Sequence, residues 1–179
     1  MAAYPFESSA AWKDYLRFYA DAVGRADEAD RLIAAYEARA RALGERIVAR
    51  RGEAPAVRVV RGDAAGHQVY LRDSLPGIVP DEVGLAVPPG EPRTGFAQDL
   101  PPERVGQIDA DAIFVWSFGV NPQIAEDNRT AASTLMRSPL WRNLGAVRRG
   151  DVFLVGDYWI GGGPLAASAM LDDIERALG

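Results

Sequence analysis

Residues 111–116 have the sequence DAIFVW, in which five apolar residues follow Asp111 without an intervening polar one. A strand with one face in water alternates apolar and polar residues, whereas a strand covered on both faces can be apolar throughout. Residues 112–116 therefore predict a strand buried between two layers of helices. Such a strand is typical of an α/β fold.

Three more β-branched runs predict strands, namely AVRVV at 56–60, HQVYL at 67–71 and DVFLV at 151–155. Helical segments are interspersed with these strands. They are an irregular one at 74–85, broken by Pro80 and ended by Gly84; a short one at 101–108; 121–136; and 163–179, which has Pro164 in its first turn. The alternation predicts an α/β three-layer sandwich with a mostly parallel sheet.

The first 50 residues predict two helices in tandem. Apolar residues recur at helical spacing from Trp12 to Val23 and, after a break at Gly24, from Leu32 to Ile47. The second helix is expected to start at Asp27 as its N-cap and to run to about Arg50, a rod roughly 35 Å long.

Composition excludes several classes of function. The 179 residues are 48% hydrophobic and carry a net charge of −5, with basic residues scattered among acidic ones, so a nucleic-acid partner is not expected. Without cysteine there is no disulfide, thiol nucleophile or thiolate metal site. The single histidine, His67, is expected in a solvated turn and cannot by itself form a histidine-rich metal site. No stretch approaches about 18 consecutive apolar residues, and the first residues do not resemble a signal peptide.

The predicted strand ends supply the candidate binding residues, because ligands of open α/β sheets bind outside the carboxyl ends of the strands. The residues at these ends are cationic or aromatic: Arg61, Arg72, Trp116, Tyr158 and Trp159. Flat apolar walls with fixed cations suit a large, flat or anionic small molecule. No catalytic residues and no metal ligands are predicted.

Other interpretations of these residues stay open. Trp116 and Trp159 could cap the core, and Arg61 could pair with Asp63 at the surface. The glycines at 161–163 precede a helix and could form an anion site, although they lack a P-loop or dinucleotide motif. The neighbouring carboxylates at 172 and 173 are expected on a solvated helix face.

Two segments carry a family resemblance: IDADAIFVW at 108–116 and the stretch from Leu135 to Leu178, which includes PLW at 139–141, GDYW at 156–159 and LDDI at 171–174. They resemble the C-terminal lobe of the periplasmic-type substrate-binding proteins that serve ferric-siderophore and cobalamin ABC importers. Upstream, 74–88 and 11–43 resemble further parts of the same proteins. The resemblance covers nearly the whole chain but only half of such a protein.

This resemblance implies that residues 1–50 are the interlobe backbone helix and the helix after it, and that 51–179 form the C-terminal ligand-binding lobe. The N-terminal lobe, signal and lipid-attachment cysteine would lie outside this sequence. The implied function is to capture a ferric siderophore outside the cytoplasm, periplasmic or anchored at the cell surface, and to deliver it to a membrane permease. Iron would belong to the ligand, so no cofactor is expected.

The resemblance also implies that Glu103 docks on arginines of the permease; the alternative is that this carboxylate only stabilises the start of its own helix. Haem or cobalamin are alternative ligands within the same class. An α/β enzyme acting on a phosphate ester or nucleotide is the alternative outside it.

Overall fold

The computed structural model describes residues 8–179. Its helical N-terminal part begins with a 3₁₀ turn, Ser9–Ala11, which Ser8 caps by accepting a hydrogen bond from the Ala10 amide. Helix α1 (Trp12–Ala22) follows, and then α2 (Ala26–Arg51). At 26 residues, α2 is about 39 Å long. It starts one residue before the expected cap, Asp27, which lies inside its first turn.

The sheet has five strands in the order β3-β2-β1-β4-β5. They are β1 (Val57–Arg61), β2 (His67–Tyr70), β3 (Ala97–Leu100), β4 (Ala112–Trp116) and β5 (Val152–Leu154). β1, β4 and β5 are parallel, whereas β2 runs antiparallel to both of its neighbours. The mostly parallel sheet is confirmed, with β3 as a strand that the sequence pattern did not predict.

Helices cover both faces of this sheet, which confirms the three-layer sandwich. On one face, α1, α2, α3 (Leu75–Val83) and α7 (Pro164–Leu178) share a core with Phe114 and Trp116 of β4. On the other face, Ile113 and Val115 pack with α4 (Pro122–Arg137), α5 (Pro139–Arg142), α6 (Gly145–Arg149) and a 3₁₀ turn at Pro102–Gln107. All five residues of β4 are buried, as its sequence predicted.

Helix α3 continues through Pro80, where the sequence suggested a break, and ends at Gly84 in the left-handed conformation with φ +87°. Helix α2 crosses α3 so closely at Gly44 that a side chain there would meet the Val83 carbonyl. The buried residues of α2, among them Ile33 and Leu43, belong to the same core as the sheet. Helix α2 is therefore a packed layer of this unit. Within residues 8–179 no helix has the length and apolar character needed to cross a bilayer.

Candidate functional site

The carboxyl ends of the three parallel strands lie side by side at one edge of the sheet. Arg61, the last residue of β1, pairs with Trp116, the last residue of β4. Just beyond them, the Gly62 amide donates to the Trp116 carbonyl at 2.9 Å, and the Val155 amide donates to the Val115 carbonyl at 3.0 Å. The sheet thus gathers Arg61, Trp116 and the loop after β5 at one edge, the carboxyl edge.

Arg61 is a cation at this edge, and Arg129 lines a cavity beside Trp116 at the same edge. The Arg61 guanidinium lies over the Trp116 ring, 5.6 Å from the ring centroid, donates to the Tyr70 hydroxyl at 3.3 Å and pairs with Asp63. Burial by itself lowers the pKa of Arg61, but the bonds to Tyr70 and Asp63 raise it overall, so the guanidinium stays charged. The Arg61 side chain is 23% exposed, which leaves it reachable from solvent.

Two donors at this edge lack an acceptor. The buried Nε of Arg61 and the buried Nε1 of Trp116 have no hydrogen-bond partner within residues 8–179. The same is true of three donors elsewhere in the described residues, Trp12 Nε1, Arg58 Nε and Arg72 Nε, so an orphaned donor does not by itself mark a ligand site. The Trp116 ring is only 1% exposed, and its centroid lies 5.2 Å from that of the Tyr70 ring. Trp116 therefore lies beneath Arg61 and offers little open surface, although it lines a cavity of about 230 Å³; its contact with a ligand stays a prediction.

The Trp159 ring is not exposed at the carboxyl edge either. Residues Asp157–Ile160 form a 3₁₀ turn, and the Trp159 ring is fully buried, stacked on Phe114 at 5.2 Å with 19° between the planes. Its Nε1 donates to Asp173 Oδ2 at 2.8 Å. The expectation that the Trp159 ring lies against a ligand is wrong, because the ring is covered by other residues of the core.

Tyr158 is the aromatic residue of this loop that reaches solvent, with 38% of its surface exposed. Its hydroxyl points to α7 and donates to Asp173 Oδ2 at 2.5 Å. Burial, together with the bond to the Asp173 carboxylate, raises the pKa of Tyr158 to about 12, so the phenol stays protonated.

Asp173 is the site residue that sequence reasoning missed. The expectation of a solvated carboxylate is wrong here, since Asp173 is only 3% exposed, whereas the neighbouring Asp172 does face solvent. The signal was available: Asp173 lies three residues after the buried Met170 and directly before the buried Ile174, at the margin of the apolar side of α7.

Arg72 does not join the other candidates. Because β2 runs antiparallel to β1, the end of β2 lies at the opposite edge of the sheet from Arg61. There, Arg72 pairs with Asp81 of α3. The prediction that Arg72 adds a second guanidinium beside Arg61 is wrong, because it assumed the same direction for both strands.

Comparison with known proteins assigns the family. A profile described as "Periplasmic binding protein" matches residues 2–158. The chain belongs to this periplasmic binding protein family. Among its relatives is the probable siderophore-binding lipoprotein YfiY of Bacillus subtilis, 32% identical over 92% of this chain and 52% of the relative. Another is the achromobactin-binding periplasmic protein of Dickeya dadantii, 30% identical over 94% of this chain and 56% of the relative.

Solved structures share the fold. Staphylococcus aureus SirA complexed with staphyloferrin B superposes with a TM-score of 0.82 at 22% identity, over 96% of this chain and 62% of SirA. Bacillus subtilis FeuA complexed with ferri-bacillibactin gives 0.79 at 20% identity, over 95% of this chain and 60% of FeuA. The chain spans about half the length of the curated relatives that it matches.

The family resemblance implied that Glu103 docks on the permease. Glu103 is exposed and lies near the start of the 3₁₀ turn Pro102–Gln107. This turn follows β3, whose last residue Leu100 pairs with His67 at the start of β2. Glu103 therefore comes from the chain just beyond the carboxyl edge. The docking role stays a prediction.

His67 lies half-buried beside a cavity of about 710 Å³ that is also lined by Asp99 and Asp127. Its Nδ1 accepts from the Asp63 amide at 3.5 Å, and burial lowers its pKa. The histidine expected in a solvated turn is thus tied to the Asp63 loop. Within residues 8–179, no three His, Cys, Asp or Glu side chains are grouped so that they could hold a metal ion.

Proposed function

We propose that this chain is the ligand-binding lobe of the substrate-binding component of an ABC importer, and that its cargo is a ferric siderophore. YfiY and the Dickeya protein, both with 30% identity or more, are named for siderophore or achromobactin binding. The protein delivers the complex to a membrane permease without chemical turnover. It works outside the cytoplasm, either periplasmic or anchored at the cell surface, since these relatives are named as a lipoprotein and a periplasmic protein.

The observation that carries the proposal is the Arg61 group at the carboxyl edge. A charged guanidinium that lies over the Trp116 ring and keeps 23% of its side chain exposed favours an anionic ligand rich in oxygen acceptors. A ferric chelate of a catecholate or carboxylate siderophore has this chemistry. The iron is held by the siderophore, so the protein needs no metal ligands and no cofactor of its own.

We further propose that residues 51–179 form one wall of the binding cleft and that a second lobe of the complete protein forms the other. The share of the relatives that this chain matches, 52% and 56%, suits one lobe of two. A single wall leaves most of a ligand in water, so tight binding needs both lobes. In this arrangement α1 and the rod α2 connect the lobes.

The alternative of an enzyme on a phosphate ester or nucleotide relies on the glycines at 161–163. Helix α7 begins at Pro164, which lacks an amide N–H and so removes one of the donors that an anion site at a helix start would use. Transport of haem or cobalamin uses the same protein class and is separated from siderophore transport by the experiment below.

The test is a tryptophan-fluorescence titration of the protein encoded by the complete reading frame. The probes are ferric staphyloferrin B, ferri-bacillibactin, their iron-free forms, haemin and cobalamin. We expect one ferric siderophore to bind, and Arg61→Gln to weaken it roughly 10- to 100-fold, because a bond to a charged group is lost. Arg149→Gln is the matched control, since Arg149 also pairs with an aspartate two residues later, Asp151, which precedes β5 at the end of that strand opposite the carboxyl edge. Binding only of haemin or cobalamin, or an equal effect of both variants, would contradict the proposal.

Permease docking through Glu103 belongs to the same proposal. Glu103→Arg should lower siderophore uptake by cells while leaving affinity and melting temperature unchanged, because a repulsive charge would face the permease. Undiminished uptake would remove the docking role.

A further inference from the structure

Asp173 joins the loop after β5 to helix α7. This buried carboxylate accepts two hydrogen bonds at Oδ2, from the Tyr158 hydroxyl at 2.5 Å and from Trp159 Nε1 at 2.8 Å. Its Oδ1 accepts from Arg176 at 2.8 Å. Charge-assisted bonds of this kind are stronger than neutral ones and fix both rings relative to α7.

Glycines flank this loop on both sides. Gly156 precedes the turn, and Gly161, Gly162 and Gly163 follow it. Backbone hydrogen bonds run from the Trp159 amide to the Gly156 carbonyl at 3.3 Å and from the Gly161 amide to the Tyr158 carbonyl at 2.9 Å. Glycine is the most conformationally free residue, so the order of the loop depends on its side chains: the burial of Trp159 on Phe114 and the bonds of both rings to Asp173.

We propose that Asp173 is a positioning residue for ligand binding: it holds the Tyr158 ring in one orientation, so that its exposed side forms a preorganised wall of the ligand edge. This inference rests on the proposed function. The loop follows β5, whose carboxyl end lies beside that of β4, and Tyr158 keeps 38% of its surface exposed. Trp159, fully buried on Phe114, is the second anchor of the same carboxylate.

Preorganisation has a predictable size. A side chain that must be ordered on binding lowers affinity about two- to tenfold relative to one already held in place. Breaking the Asp173 bonds should therefore weaken ligand binding by this factor although Asp173, being buried, does not touch the ligand. A merely structural Asp173 would lower the melting temperature and leave the dissociation constant of the folded protein unchanged.

The experiment is a double-mutant cycle in the protein encoded by the complete reading frame, with the ferric siderophore that binds tightest in the panel above. The variants are Asp173→Ala, Tyr158→Phe and the two combined, and Asp172→Ala is the matched control. Asp172 is the preceding aspartate of the same helix, 56% exposed and paired with Arg39. Dissociation constants are measured well below the melting temperature of each variant, and hydrogen–deuterium exchange of residues 156–163 is followed without ligand.

We expect Asp173→Ala and Tyr158→Phe each to weaken binding about two- to tenfold, and the double variant to be no weaker than the weaker-binding single one, since the bond between Tyr158 and Asp173 is absent in both. Exchange at 156–163 should rise in Asp173→Ala and stay unchanged in Asp172→Ala. Unchanged affinity in Asp173→Ala, or additive effects in the double variant, would overturn the positioning role, additivity meaning that the Tyr158 hydroxyl acts on the ligand directly.

Failure of the proposed function gives a different pattern. If the unaltered protein binds none of the ferric siderophores, that function is rejected, and the role in ligand binding falls with it. The exchange measurement separately tests the anchor: equal exchange in Asp173→Ala and the unaltered protein would show that the carboxylate does not hold the loop.

Discussion

Replacing Trp159 by alanine tests the most consequential difference between the sequence pattern and the structure. The indole is fully buried, stacked on Phe114 and hydrogen-bonded to Asp173. Truncating a buried aromatic side chain to alanine costs about 3–5 kcal/mol, and the lost bond to a charged acceptor places Trp159→Ala toward the upper end. Domains of this size are stable by about 5–15 kcal/mol, so the loss is a large fraction of the total.

The assay is thermal and urea unfolding of the 179-residue chain, followed by circular dichroism. At roughly 2–4 °C per kcal/mol for a domain of this size, Trp159→Ala should lower the melting temperature by about 6–20 °C. Ile160→Ala is the control in the same loop, since Ile160 is 43% exposed, and should change stability by less than about 1 kcal/mol. A Trp159→Ala variant as stable as the Ile160→Ala variant would refute the burial of this ring.

Three further predictions concern the same fold. All four tryptophans are at most 2% exposed, so the unliganded chain should show blue-shifted emission and little quenching by acrylamide; strong quenching would contradict their burial. Gly44→Ala should lower the free energy of unfolding measured in urea, because the new Cβ would lie 1.9 Å from the Val83 carbonyl oxygen. Gly52→Ala should lower it less, because the new Cβ would have open space and only the φ of +87° would be strained. Partial burial by itself raises the pKa of Asp109, but hydrogen bonds from the amides of Ala146 and Gly145 lower it overall. The ionised Asp109 carboxylate therefore stabilises the folded state above about pH 4, and this contribution is lost as pH falls through the folded-state pKa. Asp109→Asn should lower the melting temperature at neutral pH and do so less in acid; a decrease independent of pH would contradict this.

Much of the fold was predictable because its central strand is unambiguous. The unbroken apolar run of β4 required cover on both faces, and helices were indicated by the 3.6-residue spacing of residues 12–47 and by Pro164 in the first turn of α7. β3 was missed because its sequence, AQDL, is half polar. β3 is the outermost strand on its side of the sheet, and its two middle residues are exposed. An edge strand pairs on one side only and needs little apolar pattern.

The error that changed the predicted site most was to take β2 as parallel to β1, since this placed Arg72 beside Arg61. Only five residues separate β1 from β2. A parallel connection needs a dozen or more residues to cross over, so this short link, with glycine at both ends, already indicated an antiparallel pair. Loop length carried information that strand composition did not.

The orientation of the rings could not be derived from the sequence. Tyr158 and Trp159 are adjacent in a glycine-flanked loop, and nothing in that pattern says which ring turns inward. The structure decides it through Phe114, which provides a stacking surface, and Asp173, which provides a buried acceptor. Arg61, in contrast, was correctly placed at the carboxyl edge because the end of β1 is marked by the change from valines to Gly62 and Asp63.

The most direct measurement of the proposed function is the position of the iron. Crystals of the protein encoded by the complete reading frame, grown with a ferric siderophore and measured at the iron absorption edge, give an anomalous peak at the metal. We predict one peak outside the carboxyl edge, with siderophore oxygen atoms within hydrogen-bonding distance of the Arg61 guanidinium. A peak at the opposite edge near Arg72, or a peak outside the carboxyl edge with no siderophore oxygen atom near the Arg61 guanidinium, would contradict the assignment of the ligand to Arg61.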